Sequence, residues 1–145
     1  MRGVISRVLS AQVKVGGQSV GAIDRGLLVY LAVLQGDDQT VARQFARKLL
    51  QLRIFPDEAG KMNRNLLQAE GRLLLVPNFT LAGRTAKGTR PSFTDAADPD
   101  RAEQLFKAVA DAAAEQVRTA TGQFGAAMRI ESVADGPVNV IVEVV

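Results

Sequence analysis

From Leu73 to Val76 the chain is apolar without interruption, and Pro77, Asn78, Phe79, Thr80 and Leu81 follow directly. Such a run, closed by proline, is the pattern of a strand covered on both faces, and it predicts a central strand from Arg72 to Leu81 that ends in amide and hydroxyl groups. Gly26 to Leu34 has the same character and predicts a second central strand, broken by Gln35-Gly36-Asp37-Asp38. Val4, Val8, Val13 and Val15 stand among polar neighbours and predict one long strand. Gly16-Gly17 then turns the chain, and Gln18 to Ile23 returns as the other arm of a hairpin.

Helical spacing occurs twice. Asp38 is placed to cap a helix running to about Leu52, with Val41, Phe45, Leu49 and Leu52 on one stripe. Asp98-Pro99 opens the other, with Pro99 at the first helical position and Ala102, Leu105, Phe106, Val109, Ala113 and Val117 as its stripe to about Thr121, where Gly122 stops it. Asp57 to Glu70 is polar and irregular, and Arg84 to Ala97 reads as a loop. Met128–Val133 and Val138–Val145 predict two last strands, interrupted by Asp135-Gly136-Pro137. Five to seven strands divided by two helices give an α+β class, with the helices packed on a mixed or antiparallel sheet. Residues 1–145 read as a single domain without repeat or linker.

Composition narrows the chemistry sharply. The chain has no cysteine and no histidine. Thiolate nucleophiles, disulfides, zinc–thiolate sites and every triad that needs an imidazole are excluded at once. No metal-binding constellation is present: Asp37-Asp38 and Asp95, Asp98 and Asp100 read as caps and turn formers, and no cofactor is expected. A net charge of +3 and a pI near 9.7 suit either an ordinary surface or a polyanionic partner. No charged leader followed by an apolar stretch opens the chain, and no apolar run is long enough for a bilayer, so the expected location is cytoplasmic.

Three groups of residues carry candidate chemistry. Thr80 is either a β-branched strand residue or a catalytic hydroxyl, and without histidine its activation as a nucleophile is the weaker chemical reading. The backbone N–H groups of Phe79 and Thr80, released where the strand ends, are better suited to an oxyanion hole, with Asn78 beside them. Gly136-Pro137 alone is an ordinary tight-turn signal. Arg84, Lys87 and Arg90, three cations within seven residues, are a solvated loop or contacts for phosphates. Arg43, Arg47 and Lys48 offer a second, less specific basic face. Phe93 and Met128 read as pocket walls or as core.

Read together, these pieces resemble the D-aminoacyl-tRNA deacylase family. The resemblance rests on Arg7-Val8, Gly26-Leu27-Leu28-Val29, Lys61-Met62-Asn63, Phe79-Thr80-Leu81, Lys87-Gly88 with Arg90-Pro91-Ser92-Phe93, Thr121-Gly122 with Phe124-Gly125-Ala126 and Met128, and Asp135-Gly136-Pro137-Val138. All fall in the family's order and span nearly the whole chain. It implies a compact, β-rich, barrel-like homodimer that hydrolyses the ester of D-aminoacyl-tRNA, and of glycyl-tRNA, holding the acceptor end and terminal adenosine. It also implies Thr80 as the family's catalytic threonine, with the substrate's ribose hydroxyl assisting. The resemblance further implies that Gly136-Pro137 from one subunit enters the other's pocket, as a glycine–cis-proline pair does in the family, where its carbonyls exclude an L side chain, and that Arg7 holds that loop; the isomer of Pro137 in this chain stays open.

Two motifs depart from the family's pattern. Pro77-Asn78 stands where Ser-Gln is usual, and a proline there also occurs in relatives that edit L-alanine. Ala134 and Asn139 replace the asparagine and threonine that flank Gly-Pro. Two alternatives therefore stay open: a deacylase of the same fold acting on L-alanyl-tRNA, and a catalytically silent homodimer that binds tRNA ends.

Overall fold

The computed structural model describes residues 1–86 and 88–145. In chain order the elements are β1 (Arg2–Val15), β2 (Gln18–Ile23), β3 (Gly26–Ala32), α1 (Gln39–Gln51), β4 (Phe55–Pro56), β5 (Met62–Arg64), β6 (Arg72–Pro77), a 3-10 turn (Phe79–Ala82), α2 (Pro99–Ala114), β7 (Thr119–Thr121) and β8 (Arg129–Glu143). The main sheet runs β2-β1-β3-β6-β7, with β8 on the other side of β1. It is mixed: β1 is antiparallel to β2, β3 and β8, whereas β3–β6 and β6–β7 are parallel. The sheet curls until β2 approaches β7, where a side chain on Gly21 would meet the Thr121 carbonyl at 2.5 Å. The α+β class and the barrel-like mixed sheet with two main helices are as the sequence implied.

The curl explains why β3 and β6 are apolar at every position. Leu73 and Leu75 face the cluster shared with α1 and α2, while Leu74 and Val76 face a second cluster inside the curl with Val8, Val13, Ile23 and Leu28. Each strand thus has two dry faces, which parallel strands beneath helices require. Asp38 caps α1 by accepting from the Val41 N–H at 2.9 Å. Ala42, Phe45, Ala46, Leu49 and Leu50 form its buried stripe, with Val41 and Leu52 at the margin. Asp37 does more than form a turn. Its buried carboxylate accepts from the Leu34 N–H and the Met1 ammonium, both at 2.7 Å.

Four boundaries differ from the sequence pattern. The strand predicted to Leu81 ends at Pro77. The Asn78 N–H still closes the ladder on Leu31 (2.8 Å), but Leu81 and Gly83 then donate back to Asn78 and Thr80, and the chain coils. α2 stops at Ala114 rather than near Thr121. The Gln116 and Val117 N–H groups both return to the Ala113 carbonyl, and the β-branched Thr119 and Thr121 go instead to the open side of β6. The polar stretch 57–70 is not wholly irregular, since β5 pairs with β4 in a small hairpin and Leu66 is fully buried. The last two strands are one, β8, whose register on β1 slips on either side of Val8, where Gly136-Pro137 bulges.

Among the described residues no helix is long and apolar enough to cross a membrane.

Candidate functional site

β6 delivers the site. Its last residue, Pro77, sits level with Leu31 of β3, and the 3-10 turn Phe79–Ala82 projects past the sheet's edge. The first N–H groups of any helical turn have no partner within it. Accordingly the N–H groups of Phe79 and Thr80 donate to no acceptor among the described residues. The Thr80 hydroxyl is engaged differently: it donates to the side-chain oxygen of Asn78 at 2.5 Å. An amide oxygen can orient that hydroxyl but cannot take its proton, so the pair holds Thr80 still without making it a strong nucleophile.

These groups open onto a cavity of about 480 Å³ lined by Leu31 of β3 and Val33 just beyond it, Pro77 to Thr80, Ala96 and Ala97, Pro99, Ala102 and Phe106 of α2, and Phe124, Gly125, Ala126 and Met128. Among the described residues its only polar side chains are Asn78 and Thr80, and none of the lining side chains ionises. Gly122 brings the far wall in: its N–H donates to Leu75 at 2.8 Å, and a side chain there would meet the Met128 sulfur at 2.8 Å and Pro77 at 3.4 Å. Phe124 leans on Phe106 with ring centroids 6.3 Å apart. Among the described residues, the side chains whose titration is clearly displaced lie elsewhere. Burial raises Tyr30, the Lys61 N–H chiefly lowers Asp57, and Lys14 chiefly lowers Glu131.

The sequence-derived candidates fall into three places. Asn78, Phe79, Thr80 and Met128 meet at the cavity. Phe93 lies just outside this lining. It stands at the rim edge-on to Phe79, centroids 5.2 Å apart, because Gly83 leaves room for its ring. Phe79 itself is 60 % exposed in the protomer, a solvent-facing ring and not a core one. Arg84 and Arg90 belong to the neighbouring loop, pinned by two backbone bonds between Arg84 and Ser92. Arg84 is ion-paired with Asp95, whereas Arg90 is exposed. Lys87 lies outside the described residues.

Gly136 and Pro137 are elsewhere, on the exposed edge strand, with the peptide between them cis. Arg7 grips their loop: Nε donates to the Asp135 carbonyl at 3.0 Å and lies 3.2 Å from the Asp135 carboxylate, while Nη1 donates to the Ile54 carbonyl at 2.6 Å. The turn does not reach the cavity of its own protomer. Arg7 is level with Leu27 of β3, and Pro77 is level with Leu31. Those levels differ by about 13 Å at roughly 3.3 Å per residue, and three interstrand spacings of about 4.8 Å also intervene.

The pattern reading missed Phe124, Gly125 and Ala126 as lining, and it placed Phe106 only in a core stripe. It also missed Arg2, whose Nη1 donates to the Leu81 carbonyl at 2.9 Å and whose Nε pairs with Glu143 at 2.5 Å. The signals for the first group were the Gly122-Gln123-Phe124-Gly125 turn between two strands and the place of Phe124-Gly125-Ala126 among the motifs of the resemblance.

Comparison with known proteins is extensive. The family model described as D-Tyr-tRNA(Tyr) deacylase matches residues 4–143. Proteins named D-aminoacyl-tRNA deacylase are 50% identical over 140 residues in Shewanella loihica (96% of this chain, 97% of that one) and 49% identical over 145 residues in Ectopseudomonas mendocina (99% and 100%). The solved structure of a c-Myc DNA unwinding element binding protein superposes with a TM-score of 0.94 at 34% identity, covering 99% of both chains. A probable eukaryotic D-amino acid tRNA deacylase superposes with a TM-score of 0.85 at 18% identity over 99% of this chain and 98% of that one, a likeness of fold.

Proposed function

Because this chain belongs to the D-Tyr-tRNA(Tyr) deacylase family, we propose that it hydrolyses the ester linking a D-amino acid, or glycine, to the terminal ribose of tRNA. The protein is thus a hydrolase of translation quality control, with aminoacyl-tRNA as its partner and no cofactor in the reaction. Its expected place of work is the cytoplasm. The observation that carries the mechanism is the pair of unpartnered N–H groups on Phe79 and Thr80, beside a cavity without an ionisable side chain.

The ester carbonyl points at these two donors, which stabilise the oxyanion as it forms. Asn78 holds the Thr80 hydroxyl, and the Thr80 hydroxyl's free lone pairs face the cavity to orient the substrate. An aminoacyl ester is already labile, so positioning it beside the ribose hydroxyl and a water supplies most of the remaining acceleration. The terminal adenosine occupies the apolar part of the cavity against Phe124 and Met128. Arg84, Lys87 and Arg90 meet the phosphates that precede it.

Selection needs a second copy of the chain. β8 is an edge strand of 15 residues with a single buried one, Val142, and Ile141 is 70 % exposed on it. Long apolar edges of this kind are normally covered. Pairing two protomers along β8 covers it and carries Gly136-Pro137, too remote to serve its own cavity, into the partner's. There the two backbone carbonyls occupy the space an L side chain would need, while hydrogen fits, so D-amino acids and glycine enter.

The deciding assay follows amino acid release from matched D-, L- and glycyl-tRNAs. Release from D- and glycyl-tRNA only is expected; release from L-alanyl-tRNA instead would favour the relaxed-chirality alternative that Pro77 suggests. Tight, salt-sensitive tRNA binding without any hydrolysis would replace the enzyme by a binding module.

Gly136→Ala, the obvious probe of the wedge, is confounded, because its Cβ would collide with the Val138 backbone and remodel the turn in any setting. Arg7→Ala is cleaner. It releases the loop yet touches no lining residue, so the preference for D over L should fall about tenfold, one lost charged hydrogen-bond anchor, with kcat on D-aminoacyl-tRNA nearly unchanged. An undiminished preference would remove Arg7 from the selecting device.

The pH profile discriminates further. With no ionising group in the lining, log kcat should rise close to linearly with pH from about 5 to 7, below the titration of the substrate's own amino group. An inflection in that window, unchanged when the amino acid is changed, would assign a protein carboxylate to the reaction.

A further inference from the structure

The outer face of α1 carries charge that the fold uses only in part. From Gln39 to Arg53 the chain holds four cations, Arg43, Arg47, Lys48 and Arg53, and no acid. The whole protein has a net charge of +3, so the other residues together sum to −1, which is +3 minus +4. The basic character is therefore concentrated on this one helix and its exit. By contrast, α2 mixes signs along its exposed side, with Asp100, Glu103 and Asp111 beside Arg101 and Lys107.

A helix selected for stability alone would be written differently. Acidic residues in the first turn are favoured by the helix dipole, yet the first turn of α1 has none; Asp38, the cap just before it, is committed to the Val41 N–H. Arg43 and Arg47 stand four residues apart, so their like charges face each other at the spacing where repulsion costs about 0.2–0.5 kcal/mol. The other polar positions of the helix, Gln39, Thr40, Gln44 and Gln51, are all neutral. Neither Arg43 nor Arg47 has a hydrogen-bond or ion-pair partner among the described residues, whereas Lys48 donates to the Glu143 carbonyl at 3.2 Å and Arg53 to the Asn63 carbonyl at 2.8 Å. Both arginines are exposed.

We infer that Arg43 and Arg47 bind the phosphodiester backbone of the tRNA whose 3′ end lies in the cavity. This rests on the deacylase reading and extends it from the acceptor end to the body of the substrate. The placement suits it. α1 begins five residues after Leu34, which bridges to Ala96 on the cavity wall. At about 1.5 Å per residue, Arg43 and Arg47 stand roughly 6 and 12 Å along the helix from its start. An exposed pair of arginines, pre-set by the helix and lacking internal counterions, contributes affinity that depends on salt and not on sequence.

The test is the double variant Arg43→Gln, Arg47→Gln, in the full-length protein. KM for D-aminoacyl-tRNA is measured between about 50 and 200 mM salt, with a D-aminoacyl-adenosine ester as the short substrate. Each lost phosphate contact flattens the plot of log affinity against log salt by about 0.9. Two should therefore make the roughly fourfold rise in salt about tenfold less damaging to the variant than to the wild type. Hydrolysis of the short ester should be unchanged in both proteins. An unaltered salt slope with wild-type KM would show the arginines to be a solvated face and overturn the inference. Loss of activity on the short ester would also overturn it, because the effect would then lie in the fold or the cavity. A wild-type protein that hydrolyses neither substrate would refute the deacylase reading itself, a result distinguishable from both.

Discussion

Exchanging the Thr80 amide for an ester, by incorporating the α-hydroxy counterpart of threonine at position 80, should lower kcat on D-aminoacyl-tRNA by about 10²–10³, the effect of losing one oxyanion donor. The substitution keeps the side chain, its bond to Asn78 and the 3-10 turn, since the Thr80 N–H has no acceptor within the described protein to lose. KM should scarcely move, because the donor acts on charge that develops only in the transition state. The companion variant, Thr80→Ala, retains the N–H and should lose much less, since the hydroxyl orients and does not attack. Complete loss in Thr80→Ala, with a fully active ester variant, would make the hydroxyl the nucleophile and leave the Thr80 N–H without a role.

The second large effect is on stability. Gly26→Ala should destabilise the fold by about 3 kcal/mol or more, read as a lowered midpoint in urea with little change in slope. Gly26 opens β3 level with Arg72 at the start of β6. A methyl group there would be driven into the Arg72 backbone carbonyl and nitrogen. Neither strand can retreat. β3 is held on its other side by β1 and β6 by β7, and the Arg72 N–H is bonded to the Arg25 carbonyl. A Gly26→Ala variant as stable as the parent would mean that the β3–β6 junction is far looser than the structure has it.

The element pattern was legible where local chemistry decides it. The Gly16-Gly17 pair turns the chain, Asp38 and Pro99 start helices, and apolar runs without alternation mark strands covered twice. Where the sequence pattern erred, a tertiary partner outweighed local preference. The residues after Ala114 could have prolonged α2, but the open side of β6 offered Thr119 and Thr121 backbone partners that an exposed helix end could not.

For the site, the order of residues set the chemical alphabet. A chain without histidine or cysteine has hydroxyls, amides, carboxylates, cations and backbone groups to offer an ester, and Asn78-Phe79-Thr80 behind a buried strand brings an amide, a hydroxyl and backbone donors together. What the tertiary structure decided is which groups are free and which are spent. The curl of the sheet sets a cavity of wholly un-ionised lining beside two unpartnered N–H groups, while strand register puts Gly136-Pro137 too far from that cavity to serve it in the same protomer. Sequence lists the donors and acceptors, but pairing among them is long-range, and only the folded backbone determines which are left over for a substrate.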